Sequence, residues 1–424
     1  MSRLLYSLLF YLAMPLVWLR LLWRARRQPE YLQQLGERHG FYASRPPLPL
    51  LWLHAVSVGE TRAAAPLIDS LLRAYPGHGV LLTHMTPTGR TTAQELLARH
   101  PGRLMQAYLP YDLPAACGRF LDHFQPQIGL LMETEVWPNL IEAARRRKLP
   151  MALINARLSA RSQRGYARLP SLIRPALASL SAIAAQTAAD AERLQKIGAR
   201  QVSVCGNLKF DVTPAPAMLR QGACWRQALA ARPVWLAAST REGEEALILD
   251  AFMGMNIPDL LLLLVPRHPQ RFAEVAELIG KRGLAFCRRS AETLPGRETQ
   301  VWLGDSMGEM AAYYALADLA LMGGTLLPFG GQNLIEAAAC GCPVLLGPHR
   351  FNFAQASSDA IACGAARAVS NASEAAIAAR DLLRHPQALL AMRAAAKTFS
   401  QTHRGATART MALIERLMAL RTAN

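Results

Sequence analysis

A glutamate follows the first apolar run of the globular part of the chain. The run, LLWLHAV at 50–56, leads into a short loop in which Gly59 permits a tight turn. Glu60 then lies at the start of the next amphipathic segment. A carboxylate in this position could take a proton from an acceptor hydroxyl, or it could be a first-turn acid favoured by the helix dipole. Both interpretations stay open on these residues alone.

Two further loops of the first half carry charged side chains after an apolar run. The loop after 128–132 holds Glu133 and Glu135, and burying both carboxylates would be unfavourable without neutralising partners. We expect Glu135 to be the acid in the first turn of the following helix and Glu133 to point into a cleft. Lys209, within 206–211, could contact a phosphate or a carboxylate, or could be a solvated surface lysine.

The second half has signals typical of phosphate binding. Arg267 and His268 come directly after an apolar run and lie between two prolines, which makes a fixed basic corner suited to a phosphate or a base edge. Ser239 and Thr240 also follow an apolar run and open a helical segment. They are predicted to cap that helix, whose free N–H groups could bind an anion.

A glycine-rich block at 322–338 gives a further phosphate-type signal. Its four glycines at a strand–loop–helix junction would let the backbone approach a ligand closely. Asn333 is predicted to cap the helix, and Glu336, one turn further, could accept hydrogen bonds from two ribose hydroxyls. The block lacks the lysine of a P-loop, which disfavours an ATPase.

All these loops follow short apolar runs that alternate with amphipathic segments. This alternation predicts parallel sheets covered by helices on both faces, arranged as two Rossmann-like domains of α/β class that face a cleft. Ligands of such sheets bind beyond the carboxyl ends of the strands. Strands are predicted at 50–56, 80–85, 128–132, 151–156, 181–186 and 201–206, and again at 234–239, 260–266, 283–287, 299–304, 318–324 and 343–347.

The predicted domain limits follow from the same pattern. Residues 1–27 are interpreted as a membrane anchor and 28–210 as the first Rossmann-like domain. The irregular, proline-containing stretch 211–222 is predicted to be a linker. Residues 223–424 are predicted to be the second Rossmann-like domain, which ends in helices.

The formal net charge of +17 would suit either nucleic acid or an anionic membrane as a partner, and the N-terminus favours the membrane. Residues 4–19 carry no charge, and an arginine cluster follows at 20–27, which predicts a single anchor with the body on the cytoplasmic side. Pro15 interrupts this marginal segment, so a spanning helix and a helix lying in the membrane plane are both compatible with it. The scattered cysteines fit a reducing compartment, and the chain has no nucleic-acid-binding motif.

The combination of motifs resembles the Kdo transferase family of lipopolysaccharide synthesis, whose fold is GT-B. Kdo is 3-deoxy-D-manno-octulosonic acid. The resemblance covers essentially the whole chain. Its motifs are HAVSVGE (54–60), METEVWPNL (132–140), GNLKFD (206–211), PRHPQR (266–271), GDSMGE (304–309) and GGQNLIEAAACGCPVLLGP (330–348).

This resemblance implies transfer of Kdo from CMP-Kdo to the lipid A precursor (lipid IVA) at the cytoplasmic face of the inner membrane. Glu60 would be the general base, with Glu133 and Lys209 supporting the transition state. Neither a metal ion nor a cofactor is expected, and single displacement would invert the sugar. The residues expected to hold CMP are Arg267, His268, Met307, Gly308, Glu309, Asn333, Leu334, Ile335 and Glu336.

Two alternatives remain beside this hypothesis. One is another membrane-associated GT-B glycosyltransferase of envelope synthesis that uses a UDP-sugar. The other is a non-catalytic, membrane-tethered nucleotide-binding protein, for which replacing Glu60 would leave function intact.

Overall fold

The protein consists of two compact α/β units. The computed structural model describes residues 1–43 and 47–422. Contacts group Met1–Val212 with Arg404–Asn424 as the first unit, and Thr213–His403 as the second. The chain therefore leaves the first unit once and returns to it.

The first unit is built on a parallel sheet in the order β3-β2-β1-β4-β5-β6-β7. This is a Rossmann-type order, which reverses direction between β1 and β4. Its strands are β1 (Leu50–His54), β2 (Gly79–His84), β3 (Leu104–Tyr108), β4 (Ile128–Met132), β5 (Met151–Ala156), β6 (Ala182–Ala185) and β7 (Val202–Val204).

Helices connect these strands, and prolines at the first helical position open several of them. The helices are α1 (Arg3–Ala25), α2 (Val58–Ala74), α3 (Pro87–Thr92), α4 (Gln94–Arg99), α5 (Pro114–Phe124), α6 (Pro138–Arg146), α7 (Ala160–Ala167), α8 (Pro170–Ala178) and α9 (Ala188–Lys196). Short 3-10 helices of the whole chain lie at Pro29–Leu32, Glu37–His39, Leu208–Asp211, Pro269–Arg271, Arg289–Ala291 and Phe351–Phe353.

The strand β1 shows why the sheet is buried on both faces. Its side chains alternate, so that Leu51 and Leu53 join one hydrophobic cluster while Leu50 and Trp52 join the other. In the neighbouring strand, a Cβ atom on Gly129 would lie 2.2 Å from the Met151 sulfur. The glycine therefore lets Trp52 and Met151 pack across β4.

The second unit repeats this architecture with a different strand order, β10-β11-β9-β8-β12-β13-β14, again all parallel. Here the reversal lies between β8 and β12. The strands are β8 (Val234–Thr240), β9 (Leu261–Pro266), β10 (Phe286–Arg288), β11 (Val301–Leu303), β12 (Leu319–Met322), β13 (Val344–Leu346) and β14 (Ala366–Ala368).

The helices of the second unit cover its sheet. Trp235, Leu262 and Leu264 contribute to a cluster that also contains apolar residues of these helices. They are α10 (Pro216–Ala228), α11 (Glu244–Met253), α12 (Phe272–Gly280), α13 (Met310–Leu316), α14 (Leu334–Ala339), α15 (Ala354–Ala362), α16 (Ala372–Arg384) and α17 (Pro386–Thr402).

The last helix, α18 (Ala406–Thr422), corrects the predicted domain limits. It belongs to the first unit, where Ile414 packs in the same cluster as α2, so the second domain does not run to residue 424. The predicted linker 211–222 is also too long, because Pro216 opens α10 and the units divide after Val212. The sequence pattern could not assign α18, since amphipathic helices of both units look alike.

The two predicted parallel sheets are confirmed. Each predicted strand overlaps an observed one, although β3 and β14 were not predicted. The strand β3 is half-buried at Met105 and at the polar Gln106, and β14 is a three-residue strand at the sheet edge. Neither segment therefore shows the continuous apolar run that marks a buried strand.

Candidate active site

Glu60 lies in the first turn of α2, at the carboxyl end of β1. The Ser57 side chain caps the helix by accepting from the Glu60 backbone N–H. In return the Glu60 carboxylate accepts from the Ser57 hydroxyl at 2.9 Å and from the Val56 backbone N–H at 2.9 Å. These reciprocal bonds resemble a capping box and fix the orientation of the carboxylate.

The protonation of Glu60 is set by its surroundings. The residue is only 9% exposed. Burial raises the pKa of its carboxyl from the ordinary 4.5 to about 7, and the negative charges of Glu133 and Glu135 add to this. The hydrogen bonds from Val56 and Ser57 act in the opposite direction. A carboxylate whose pKa lies near neutrality is suited to accept a proton during a reaction.

Glu133 lies directly after β4, the neighbour of β1 at the point where the strand order reverses. It is buried and has a φ of 57°, in the left-handed region. Lys209 donates to its Oε1 at 3.1 Å, and Arg157 donates to its Oε2 at 2.8 Å. Burial acts to raise the pKa of Glu133, but these two cations outweigh burial and lower it. Glu133 is therefore ionised and paired.

This arrangement decides between the alternatives for Lys209. Lys209 is not a solvated surface lysine, since its ammonium group contacts Glu133 and its side chain is mostly buried. Its position depends on Asn207, which accepts from the Lys209 N–H and caps the 3-10 helix. Arg157 forms the second ion pair of Glu133. Glu60, Glu133 and Lys209 thus belong to one interacting group at the carboxyl edge of the first sheet.

The prediction for Glu135 is wrong. The helix α6 begins at Pro138 and has no acid in its first turn, so Glu135 lies before the helix. Its carboxylate accepts from the Trp137 indole N–H at 2.7 Å and lies 4.0 Å from the buried His54 Nε2. The proline at the first helical position moved the start of the helix beyond both glutamates. Burial raises the pKa of Glu135.

In the second unit, Arg267 and His268 follow β9 at the carboxyl edge of the sheet. The Arg267 backbone N–H donates to the Thr240 carbonyl, which ties this corner to the adjacent β8. Burial lowers the pKa of His268, and the positive charges of Arg241, Arg267 and Arg271 lower it further. His268 is therefore a neutral imidazole within a cationic cluster, which favours an anion.

Met307, Gly308 and Glu309 follow β11, which neighbours β9. The Met307 side chain is exposed and Gly308 adopts a φ of 85°. The Glu309 carboxylate is occupied by other contacts, with Arg289 Nη2 at 2.9 Å and Gln221 Nε2 at 3.1 Å. The exposed backbone of this loop is thus more available to a ligand than the Glu309 carboxylate.

The glycine-rich block after β12 is held by a residue that the sequence reading did not identify as functional. Glu244 is fully buried. Its carboxylate accepts from the backbone N–H groups of Gly324 at 2.6 Å, Leu326 at 2.9 Å and Arg241 at 2.9 Å. A Cβ atom on Gly323 would lie 2.2 Å from the Ser239 carbonyl oxygen. Backbone contact and one buried carboxylate therefore shape this loop.

The predicted caps at Ser239 and Thr240 are wrong. The helix α11 is preceded by Gly243 in the left-handed conformation, without a side-chain cap. Thr240 instead donates to Glu245, which also pairs with Arg271 at 2.6 Å. A turn separates the end of β8 from α11, so the helix begins at Glu244, several residues after Thr240.

Asn333 caps α14, as predicted, and accepts from the Ile335 N–H at 3.1 Å. The side chains of Leu334 and Ile335 lie in the core. These two residues can therefore meet a ligand only through their backbone, whereas Glu336 is partly exposed. Across residues 1–43 and 47–422 no group of three His, Cys, Asp or Glu side chains could hold a metal ion.

Comparisons with known proteins agree on one family. Residues 33–212 match the family model described as 3-deoxy-D-manno-octulosonic-acid transferase (kdotransferase). The chain is 47% identical over 427 residues to the 3-deoxy-D-manno-octulosonic acid transferase of Bordetella pertussis, covering 98% of this chain and 99% of that protein. It is 40% identical over 363 residues to the corresponding transferase of Haemophilus influenzae, covering 83% and 84%.

The fold also has a solved counterpart. The crystal structure of Anabaena Alr3699/HepE in complex with UDP is similar, with a TM-score of 0.59 and 15% sequence identity. The match covers 88% of this chain and 100% of that one. At this identity the likeness supports the two-unit α/β fold of GT-B type.

Proposed function

The chain belongs to the 3-deoxy-D-manno-octulosonic acid transferase family and is a Kdo transferase, and we propose that it moves Kdo from CMP-Kdo to lipid IVA with Glu60 as general base. The acceptor hydroxyl would lose its proton to Glu60 as it attacks the anomeric carbon of the donor. CMP would leave from the opposite side, so the configuration at that carbon would invert. The displaced bond is that between the anomeric carbon and the phosphate oxygen.

The observation that carries this proposal is that the Glu60 carboxylate is buried and fixed by hydrogen bonds at the carboxyl end of β1. Its pKa is about 7, so an appreciable fraction is ionised at neutral pH and its conjugate acid is weak enough to hold the proton it receives. The bonds from Ser57 and Val56 fix the carboxylate without supplying a cation. By contrast Glu133 is paired with two cations and has a lowered pKa, which makes it a poor base.

We further propose that Glu133 and Lys209 support the transition state. Glu133 fixes the Lys209 ammonium group at 3.1 Å, beside the site of proton transfer. A positioned cation there can stabilise negative charge that develops on the substrates, while Glu133 prevents that cation from moving away. Their role is therefore electrostatic, and distinct from the proton transfer assigned to Glu60.

The donor is proposed to bind at the carboxyl edge of the second sheet. Arg267 and the neutral His268 would contact the phosphate of CMP, and the Glu336 carboxylate would accept from its ribose hydroxyls. The backbone of Met307, Gly308 and Glu309, together with that of Asn333, Leu334 and Ile335, would approach the nucleotide. The leaving group is a monophosphate, so fixed cations and N–H groups can stabilise it without a metal ion or cofactor. We expect full activity in excess EDTA.

The protein is proposed to work at the cytoplasmic face of the inner membrane. The helix α1 is apolar and long enough to cross a bilayer by length and composition. Arg20 and Arg24 lie in the C-terminal part of α1 and Arg26 and Arg27 come directly after it, which suits the anionic cytoplasmic leaflet. A lipid acceptor would reach the enzyme from this surface.

The test is mass spectrometry of lipid IVA after incubation with the enzyme and either CMP-Kdo or a set of UDP-sugars. We expect a mass increase of whole Kdo units with CMP-Kdo, and loss of that product in Glu60→Gln. The exposed Glu95 provides a matched control, since Glu95→Gln should keep wild-type activity. Release of UDP without release of CMP would contradict the proposed donor. Undiminished transfer by Glu60→Gln would contradict the proposed base.

A further inference from the structure

The helix α1 presents two faces of different environment. Residues that are buried or half-buried recur every three or four positions, as expected for one side of a helix packed against the first unit. This inner face is formed by residues 3, 6, 7, 10, 13, 14, 17, 18, 21 and 25. Because it continues from one end of α1 to the other, the whole helix lies along the protein.

Polar contacts fix the N-terminal end of α1. Ser7 Oγ lies 3.0 Å from Asn139 Oδ1, and Arg3 Nη1 donates to the same oxygen at 3.2 Å. Asn139 in turn donates to the buried Asp112. The Tyr6 hydroxyl also hydrogen-bonds Asp112. A helix that left the protein to span a bilayer would lose these contacts, and the buried Asp112 and Asn139 would lose their partners on α1.

Apolar and aromatic contacts continue along the rest of the inner face. Phe10, Met14 and Val17 pack against a cluster that contains Leu113. Further along, the Trp18 ring stacks on His39, with centroids 5.4 Å apart. Leu21 and Ala25 are buried at the C-terminal end. The contacts therefore extend over a helix of 23 residues, about 35 Å at 1.5 Å per residue.

The outer face of α1 is also apolar, which is the reverse of what a helix facing water requires. Its large side chains are between 56% and 76% exposed, and they follow one another at intervals of three or four residues. They are Leu4, Leu8, Leu12, Leu16, Leu19 and Trp23. Arginines at 20, 24, 26 and 27 lie at the C-terminal end of this stripe. An apolar stripe with basic residues at one end matches an anionic bilayer surface.

The elements under α1 place it near the candidate site of the first unit. Asp112 and Leu113 follow β3, and Asn139 lies in the first turn of α6, which follows β4. Carboxyl ends of parallel strands share one edge of the sheet, and this is the edge that carries Glu60 and Glu133. A membrane that covered the outer face of α1 would therefore lie beside the proposed base.

We propose that α1 lies in the plane of the membrane, packed on the first unit along its inner face, with its outer face in the lipid. It then does not cross the bilayer. The occupant of the outer face is a bilayer that contains anionic phospholipid. The acceptor, held in the same bilayer by its acyl chains, would reach Glu60 by lateral diffusion. The inference rests on the proposed membrane location and not on the chemistry assigned to Glu60.

The first test asks on which side of the membrane the N-terminus lies. The exposed Cys224 and Cys363 are replaced by serine, and Ser2→Cys is introduced in the full chain. We expect a membrane-impermeant maleimide to label this cysteine in sealed inverted vesicles and not in spheroplasts of the expression host. A matched chain that retains Cys224 reports the side of the globular body. Labelling of Ser2→Cys from spheroplasts alone would overturn the inference.

The second test measures depth along the helix. A bimane label is attached to Leu4→Cys, Leu12→Cys or Leu19→Cys, and quenched by brominated lipids in phosphatidylethanolamine–phosphatidylglycerol vesicles. An in-plane helix gives equal depths at all three positions, and a label on the inner-face Ala13→Cys is quenched several-fold less. A maximum depth at Leu12 with shallow ends would overturn the inference. Failure of the wild-type chain to sediment with these vesicles would overturn both it and the proposed membrane location, while transfer assays test the chemistry separately.

Discussion

The two sheets present their carboxyl edges to ligands in different ways. In the first unit the edge carries ionised side chains that act on one another, with Glu60 beside Glu133 and its partner Lys209. In the second unit the carboxylates Glu244 and Glu245 are buried, and the edge presents cations, glycines and backbone, with Glu336 as a partly exposed carboxylate. The difference separates proton chemistry from nucleotide binding. A base needs a tuned pKa, whereas a bound phosphate needs close backbone and fixed positive charge.

The largest effect is expected when the buried carboxylate that holds the edge of the second sheet is removed. Glu244→Ala leaves the N–H groups of Gly324 and Leu326 without their acceptor. We expect the free energy of unfolding to fall by about 3–5 kcal/mol, measured by calorimetry, together with loss of CMP binding. The exposed Glu242 is the control, and Glu242→Ala should change neither quantity. A Glu244→Ala protein of wild-type stability would show that the loop does not depend on this residue.

Substitutions at the two edges should affect donor binding and turnover differently. Arg267→Ala should raise the dissociation constant of CMP by about 10- to 100-fold, the effect of losing a charged hydrogen bond, and should also lower kcat because Arg267 would stabilise the leaving phosphate. Lys209→Ala should lower kcat alone, with little effect on CMP binding. Titration calorimetry and initial rates measure the two effects. The exposed Arg297 serves as the matched control through Arg297→Ala. An Arg267→Ala enzyme that binds CMP normally would contradict the assignment.

Ionisation of the buried Glu60 should lower the stability of the folded protein as pH rises. Its pKa is raised from 4.5 to about 7 in the folded protein, so the folded state binds this proton more tightly than the unfolded state. Stability from this group is therefore lost as pH rises from about 4.5 to about 7. Glu60→Gln should be more stable than wild type by about 1–3 kcal/mol at pH 8 and equal to it at pH 4. Thermal unfolding at both pH values measures this, and equal stability at pH 8 would argue against a buried, ionised Glu60.

The smallest expected effect concerns Glu135. Its negative charge is the last contributor to the raised pKa of Glu60. Transfer by the wild type should rise with pH through about 7, and Glu135→Gln should move this rise to lower pH by less than about 0.5 unit. Glu95→Gln should not move it. A shift to higher pH in Glu135→Gln would contradict the electrostatic coupling.

Much of this contrast could be predicted from the sequence. The alternation of apolar runs predicted both parallel sheets, and the loops at strand ends led to Glu60, Glu133, Lys209 and Arg267. What was missed depends on contacts between distant segments. Glu244 stands 80 residues before Gly324, and nothing local marks its carboxylate as the partner of that loop.

Two local errors have local causes. Carboxylates are common in a first turn, which favours a helix start at Glu135, but Pro138 occupies the first helical position and α6 begins there. The caps at Ser239 and Thr240 were expected because both residue types favour helix starts, yet Gly243 supplies the turn instead. In both cases a helix does follow the strand, but it begins a few residues later than the side-chain preferences predict.

The return of α18 to the first unit has a consequence for biosynthesis. Ala406, Met411 and Ile414 complete the same hydrophobic cluster as the earliest strand, β1. During translation the hydrophobic core of the first unit therefore stays incomplete until nearly two hundred further residues have left the ribosome. We expect C-terminal truncations to damage the N-terminal half more than the segment next to the cut.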